Sequence, residues 1–273
     1  MPMIDTRDGT RLYVNDWGQG QPVVLIHGWP LNADSWEYQS VRLAEAGYRV
    51  IAYDRRGFGR SDQPFTGYDY DTLADDLADV MAALDLQDAV IAGFSMGGGE
   101  VVRYLSRHGG KGVSKAMLIA SVAPYMAKTD DNPDGTDASV FDGMKDGLRD
   151  DRQSFFVNFF KDFTGHGLPS SPVPQPGLDW MWGMAMQANP KATIDCVTAF
   201  GTTDFRPDMA HVTVPTLIIH GDADKIVPID AAGAQAARML PDATYKVYPG
   251  APHALTATHK DELLDDMLAF LRS

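Results

Sequence analysis

The chain is poor in cysteine, with Cys196 the only one among 273 residues. A single cysteine cannot form an intrachain disulfide, so nothing in the composition points to an oxidising compartment. Its neighbours Ile194, Val197, Ala199 and Phe200 are apolar. This setting is typical of a small buried side chain.

The chain is also short of positive charge, since 23 Lys and Arg residues face 37 Asp and Glu, a formal net charge of −14. Nucleic acids and anionic membrane surfaces attract proteins through basic patches, so neither is expected as a partner. No cluster of cysteine and histidine suggests a metal site. No apolar run approaches the length of a membrane span, and the opening Met-Pro-Met-Ile-Asp lacks the pattern of a signal peptide. We therefore expect a cytoplasmic protein without a metal.

Short apolar runs alternate with amphipathic stretches along most of the chain, a pattern that predicts an α/β fold with helices on both faces of a parallel sheet. Asp8-Gly9-Thr10 predicts a hairpin turn that places an antiparallel pair at the sheet edge. The predicted strands are 22–27, 49–54, 89–94, 115–121, 215–220 and 243–248, and the predicted helices are 35–46, 71–84, 97–108, 229–239 and 261–271.

The alternation stops after Pro124. Residues 125–205 are rich in Asp, Gly, Pro and aromatic residues, with a proline-rich break at 169–176 and no clear strand. We therefore expect one α/β core, 1–124 and 206–273, carrying 125–205 as a helical lid over the strand ends, where such sheets bind ligands. The aromatic residues predict an apolar lid, although some of them must form its own core: Phe155, Phe156, Phe159, Phe160, Phe163, Trp180 and Trp182.

The pentapeptide Gly93-Phe94-Ser95-Met96-Gly97 carries the strongest indication of chemistry. It joins the apolar run 89–94 to a stretch with helical spacing, and so sharp a strand-to-helix turn exposes the serine and tolerates only glycine two residues on either side. The helix N-terminus supplies unpaired N–H groups for an anion. We therefore predict that Ser95 is a nucleophile and that the N–H of Met96 is one oxyanion donor.

A serine nucleophile needs a histidine base and a carboxylate that orients it, and in this chain order both follow the serine. His253 lies in a proline-rich loop after the last predicted strand, and Asp222 and Asp224 both follow 215–220. We favour Asp224 as the acid, because Asp222 directly follows a glycine turn that it can brace. The second oxyanion donor is expected to be the backbone N–H of Trp29. His27 and His220 end apolar strands and are expected to brace loops.

With these residues in place, the whole chain resembles an α/β-hydrolase, and more narrowly the bacterial arylesterases and cofactor-free (non-haem) haloperoxidases, also called perhydrolases. The resemblance rests on the stretches His27-Gly28-Trp29-Pro30, Asp54-Arg55-Arg56-Gly57-Phe58-Gly59-Arg60-Ser61-Asp62, Gly93–Gly99, Thr203-Asp204-Phe205-Arg206-Pro207-Asp208 and His220-Gly221-Asp222-Ala223-Asp224.

The resemblance implies a mostly parallel, doubly wound eight-stranded sheet with a helical cap, and the roles already assigned to Ser95, Asp224, His253, Trp29 and Met96. It also implies hydrolysis of aryl and short-chain esters through an acyl-serine, transfer of the acyl group to hydrogen peroxide, no cofactor, and assembly as trimers or pairs of trimers. Proline after the oxyanion tryptophan is found in members with strong perhydrolase character. The residues expected to contact the substrate are Trp29, Pro30, Phe159, Phe200 and Val227.

Three alternatives stay open from the sequence. A lactamase or a carbon–carbon bond hydrolase would use the same serine, histidine and aspartate. A binding protein without catalysis would keep the fold, although it would be expected to have lost part of this set. A serine at position 95 disfavours dehalogenase and epoxide hydrolase chemistry, which needs aspartate there.

Overall fold

The computed structural model describes residues 3–167 and 173–273. Residues 168–172, which include the first half of the predicted proline-rich break at 169–176, lie outside the described residues, as do residues 1–2. The strands are β1 (Met3–Asp5), β2 (Arg11–Gly18), β3 (Pro22–Ile26), β4 (Arg49–Tyr53), β5 (Ala89–Phe94), β6 (Val113–Ile119), β7 (Thr216–Gly221) and β8 (Thr244–Tyr248). The helices are α1 (Glu37–Glu45), α2 (Tyr70–Ala83), α3 (Met96–Arg107), α4 (Ala138–Phe163), α5 (Gln175–Gln187), α6 (Pro190–Thr202), α7 (Arg206–Met209), α8 (Gly233–Met239), α9 (Leu255–Thr258) and α10 (Lys260–Leu271), with a 3₁₀ turn at Ala33–Trp36 before α1.

The eight strands form one sheet in the order β1-β2-β4-β3-β5-β6-β7-β8. The β1–β2 and β2–β4 pairs are antiparallel, and the remaining pairs are parallel. The predicted α/β architecture and its antiparallel edge hairpin are therefore confirmed. Every residue of β5 and β7 is buried, as expected for strands covered on both faces.

The strand order creates the place for a site. After β3 the chain adds β4 on one side, and then crosses to add β5 on the other side of β3. The loops that follow β3 and β5 therefore leave neighbouring strand ends in different directions, which opens a crevice at the carboxyl edge of the sheet. The Gly28–Trp29 loop and Ser95 both lie there.

Most predicted boundaries agree with the observed ones to within a few residues. The exception is the helix predicted at 229–239, which begins only at Gly233. The preceding residues form turns, in which the N–H groups of Ala231 and Ala232 bond the carbonyls of Pro228 and Ile229. Apolar spacing alone does not separate such turns from the first turn of a helix.

Between β6 and β7 the described chain forms α4, α5 and α6 within the predicted lid and α7 just after it, and the division into a core and a lid at 125–205 stays a prediction. Helix α4 is interrupted at Asp151, where φ is −147° and ψ is 85°. Its second half buries Phe156, Phe159, Phe160 and Phe163, one helical face turned inward. Trp180, by contrast, is 40% exposed. In the described ranges, none of the helices combines the length and the apolar character needed to cross a bilayer.

Candidate active site

Ser95 lies at the sharp turn between β5 and α3. Its φ of 55° and ψ of −118° are unusual for a residue with a side chain, and such strain is typical of functional positions. A Cβ on Gly93 would lie 2.3 Å from the carbonyl oxygen of Gly97, and one on Gly97 would lie 2.6 Å from that of Ile26. Glycine at both positions is therefore a steric requirement of this turn.

His253 lies between β8 and α9, and its side chain is fully buried. The Ser95 hydroxyl is 2.8 Å from Nε2, and Nδ1 is 2.6 Å from Oδ2 of Asp224. The ring packs against Phe94 and Phe163, with centroids 5.2 and 5.0 Å away. With Nδ1–H donating to the carboxylate, Nε2 is left to accept the serine proton. The loops after β5, β7 and β8 thus bring the three predicted polar side chains together.

Asp224 is held in place by backbone donors as well as by His253. Its Oδ1 accepts the N–H groups of Ile226 at 2.8 Å and Val227 at 2.9 Å. Burial by itself would raise the pKa of the Asp224 carboxyl, but His253 and His220 outweigh burial and hold that pKa well below its usual range. The group is therefore ionised wherever the protein is folded near neutral pH.

Asp222 lies on the exposed side of the same loop. Its Oδ1 accepts the backbone N–H of Gly250 at 2.5 Å, so it braces the turn that leads to His253. Of the two carboxylates that the sequence offers, the structure places Asp224 against the imidazole.

The expected oxyanion donors lie on two elements beside Ser95. Met96 is the first residue of α3, where N–H groups have no carbonyl partner within the helix. The loop of Gly28 and Trp29 lies so close to the serine that a Cβ on Gly28 would be 3.1 Å from the Ser95 Cβ. The hydroxyl of Tyr70 donates to the Met96 carbonyl at 3.0 Å and steadies this end of the helix.

Trp29 ties the loop after β3 to the overlying helices. Its Nε1–H donates to the carbonyl of Thr193 in α6 at 3.1 Å. Its ring lies 5.2 Å from Phe159, 5.5 Å from Phe156 and 5.6 Å from Phe200, centroid to centroid. Helices α4 and α6 therefore hold in place the loop that carries one expected donor.

A small cavity of about 40 Å³ opens at Ser95. Four of the five predicted substrate contacts line it, namely Trp29, Phe159, Phe200 and Val227. Pro30, which is joined to Trp29 by a cis peptide bond, is not among the described residues that line it. The other lining residues are Val122, Met126, Thr136, Val140, Phe141, Met144 and Ile226. The wall is almost entirely apolar, as is typical of sites that bind small organic molecules.

A buried ion pair beneath the site was not predicted from the sequence. Arg55 and Glu100, at most 1% exposed, pair directly, and Arg55 also donates to the His27 carbonyl at 2.7 Å. His27 Nδ1–H donates to the Gly28 carbonyl at 2.9 Å, and its Nε2 accepts the Arg55 N–H at 3.0 Å. Burial, together with Arg55, holds the pKa of His27 well below its usual range. The sequence contains one indication of this ion pair, because Glu100 is a charged residue directly beside apolar Val101 in α3.

Cys196 lies in α6 and is fully buried, as predicted. Burial raises the pKa of its thiol to about 12. The thiol is therefore protonated near neutral pH and is not a competing nucleophile.

Residues 21–260 match the alpha/beta hydrolase fold family. The chain belongs to that family. It is 45% identical over 273 residues to the non-heme chloroperoxidase CPO-A1 of Kitasatospora aureofaciens, covering 99% of each chain. It is 40% identical over 277 residues to a bifunctional esterase/perhydrolase of Acinetobacter calcoaceticus, covering all of both.

Solved structures agree with these relatives. The bromoperoxidase of Bacillus anthracis superposes with a TM-score of 0.95 at 43% identity, covering 100% of this chain and 99% of that one. The resemblance to esterases and non-haem haloperoxidases, and the α/β-hydrolase fold it implies, are confirmed.

Proposed function

We propose that this protein is a serine hydrolase that cleaves small carboxylic esters, aryl or short-chain, through an acyl-Ser95 intermediate. The observation that carries the proposal is the continuous chain of contacts from Ser95 Oγ through His253 to Asp224, opening onto a small apolar cavity. We further propose that the acyl group passes to water or to hydrogen peroxide, as the names of the esterase/perhydrolase and chloroperoxidase relatives suggest.

In the acylation half-reaction, Ser95 Oγ attacks the ester carbonyl while His253 Nε2 takes its proton. The N–H groups of Trp29 and Met96 stabilise the tetrahedral oxyanion, and Asp224 stabilises the imidazolium. The C–O bond to the alcohol then breaks, the alcohol leaves with the proton held by His253, and the acyl-enzyme remains.

In the second half-reaction, water or hydrogen peroxide attacks the acyl carbon and gives its proton to His253. The bond to Ser95 Oγ breaks, the proton returns to the serine, and a carboxylic acid or a peracid leaves. Neither route changes the oxidation state of the protein. Ser95 and His253 account for every proton transfer in both half-reactions.

The cavity supports a short acyl group. Its volume of about 40 Å³ is far below the roughly 300–1,000 Å³ of pockets that hold drug-sized ligands. Among the described residues that line the cavity none is charged, so the wall offers no partner for an acidic or basic acyl chain. Acetyl and propionyl esters are therefore the substrates with which to begin.

Turnover of p-nitrophenyl acetate by the wild type and by Ser95→Ala tests the serine mechanism. We expect the variant to lose nearly all activity, and we expect rapid quenching of the wild-type reaction to trap an added acetyl mass on the peptide that contains Ser95. Equal rates for the two proteins would remove the proposal.

The choice between water and peroxide needs a separate measurement. Peracid formation from acetate ester and hydrogen peroxide is compared in the wild type and in Pro30→Leu, with ester hydrolysis measured in parallel. We expect the substitution to lower the ratio of peracid formation to hydrolysis. An unchanged ratio would show that Pro30 does not favour peroxide.

We also propose a cytoplasmic, homo-oligomeric protein. The single cysteine supports a reducing compartment. Family resemblance supports the trimer or pair of trimers. Sedimentation equilibrium of the purified protein tests the assembly, and a monomer at micromolar concentration would contradict it.

A further inference from the structure

His220 lies in β7, directly behind the proposed catalytic acid, and its side chain is fully buried. Its Nε2 is 2.9 Å from the carbonyl oxygen of Val227 and 3.2 Å from Oδ2 of Asp224. The same carboxylate oxygen receives Nδ1 of His253 at 2.6 Å. The imidazoles of His220 and His253 therefore both contact Oδ2 of Asp224, and the proposed mechanism gives a role only to His253.

The surroundings of His220 fix which nitrogen carries its proton. Carbonyl and carboxylate oxygens are acceptors only, so the two contacts of Nε2 require a proton there. Nδ1 is buried and has no hydrogen-bond partner among residues 3–167 and 173–273. Gly233 lies directly against Nδ1 of His220, since a Cβ on that glycine would be 2.7 Å from the nitrogen. A proton on Nδ1 would thus be buried without an acceptor, which disfavours it.

We propose that His220 is a positioning residue, whose Nε2–H holds the Asp224 carboxylate in the orientation that His253 requires. The inference rests on the proposed function. It goes beyond the loop-bracing role expected from sequence, because it assigns His220 a part in catalysis through Asp224.

The geometry explains why a fourth contact matters. The N–H groups of Ile226 and Val227 fix only Oδ1 of Asp224, which leaves the carboxylate free to tilt about that oxygen. His220 restrains Oδ2 from the strand side while His253 approaches it from the loop side. The same nitrogen of His220 also contacts the carbonyl oxygen of Val227, which lines the cavity. One imidazole ring therefore contacts both the proposed acid and a residue of the cavity wall.

Two substitutions separate positioning from simple support of the fold. His220→Leu removes the donor, whereas His220→Gln keeps an amide N–H near the position of Nε2. We expect His220→Leu to lower kcat for p-nitrophenyl acetate by roughly 10- to 100-fold with KM nearly unchanged, because orientation matters most in the transition state. We expect His220→Gln to recover most of kcat, leaving it within about threefold of the wild type.

His108→Leu is the matched control, because it removes a histidine–aspartate contact (Nε2 to Asp75, 2.8 Å) outside the site. It should leave kcat unchanged. A spectroscopic signature completes the set, since the far-downfield proton resonance of the bond between His253 and Asp224 should shift or broaden in His220→Leu and return in His220→Gln.

The proposal is overturned if folded His220→Leu keeps kcat within twofold of the wild type, or if His220→Gln is as impaired as His220→Leu. Should His220→Leu fail to fold, nitrogen NMR of the wild type decides, and a proton found on Nδ1 of His220 would overturn the assignment. Ser95→Ala is measured alongside. Full activity of that variant would refute the serine mechanism itself, whereas its inactivity together with an unaffected His220→Leu would refute the positioning role alone.

Discussion

Replacing Gly28 by alanine should lower the catalytic rate in a protein that still folds. The added Cβ would lie 2.8 and 2.9 Å from ring carbons of Phe94 and 3.1 Å from the Ser95 Cβ. Carbon atoms prefer about 3.5–4.0 Å, so the loop or the ring must move by at least roughly 0.7 Å. The ring has little freedom, since Phe94 is fully buried and packs against Trp36, Phe163 and His253.

The clash must therefore be relieved by a shift of the loop that carries the Trp29 N–H, or by a shift of Ser95 and His253. A displacement near 1 Å in a reacting group costs on the order of 100-fold in rate, so we expect kcat and kcat/KM to fall together by roughly 10- to 100-fold. Crowding a packed interior costs about 1–3 kcal/mol, which sets the expected loss in the free energy of unfolding.

The assay is p-nitrophenyl acetate turnover together with urea unfolding. Gly143→Ala in α4 is the matched control, because the Cβ it adds has no described atom within 4 Å apart from its chain neighbours and the backbone of its own helix. The control should keep wild-type kcat and gain up to about 1 kcal/mol of stability, as alanine does in a helix. A Gly28→Ala protein with wild-type kcat would refute the argument that this loop is fitted to the serine.

Four further predictions test other parts of the site. Asp224→Asn should lower kcat by roughly 10³- to 10⁴-fold and Asp222→Asn by far less, and the reverse order would refute the assignment of the acid. Because the pKa of Asp224 is lowered in the folded protein, its charge stabilises the fold above about pH 4, and this contribution is lost as the pH falls further. The difference in free energy of unfolding between the wild type and Asp224→Asn, measured in urea, should therefore shrink as the pH falls. Phe200→Ala should raise kcat/KM for butyrate relative to acetate esters by about tenfold, and an unchanged preference would show that Phe200 does not limit the acyl pocket. Arg55→Met should cost about 3–5 kcal/mol by leaving the buried Glu100 carboxyl without its cation, although Tyr53 still donates to it, and adding Glu100→Leu should recover part of that cost; a double variant no more stable than the single one would contradict this.

The position of the proposed nucleophile is the part of the site most open to prediction from sequence. Its geometry is local: an apolar strand, a serine and a helix with glycine at two fixed offsets define the turn, and the structure places Ser95 at that turn with a φ of 55°. Strand order along the chain also predicts that the acid and base follow the serine. The edges of helices were harder, as the turn before Gly233 shows, because turns and helix starts share apolar spacing.

The sequence by itself determined the elements of this protein, their alternation, the turn at Ser95 and the candidates for acid and base, because period and local sterics act over a few residues. Tertiary structure decided which partner each candidate carboxylate contacts. Asp222 and Asp224 are two residues apart, yet only the path of their loop past the end of β8 sends one to Gly250 and the other to His253. The same holds for Arg55 with Glu100, for His220 with Asp224, and for the cavity wall. Each of these contacts joins residues that different strands and helices bring together, and burial, which gives them their energy, exists only once the whole sheet is covered.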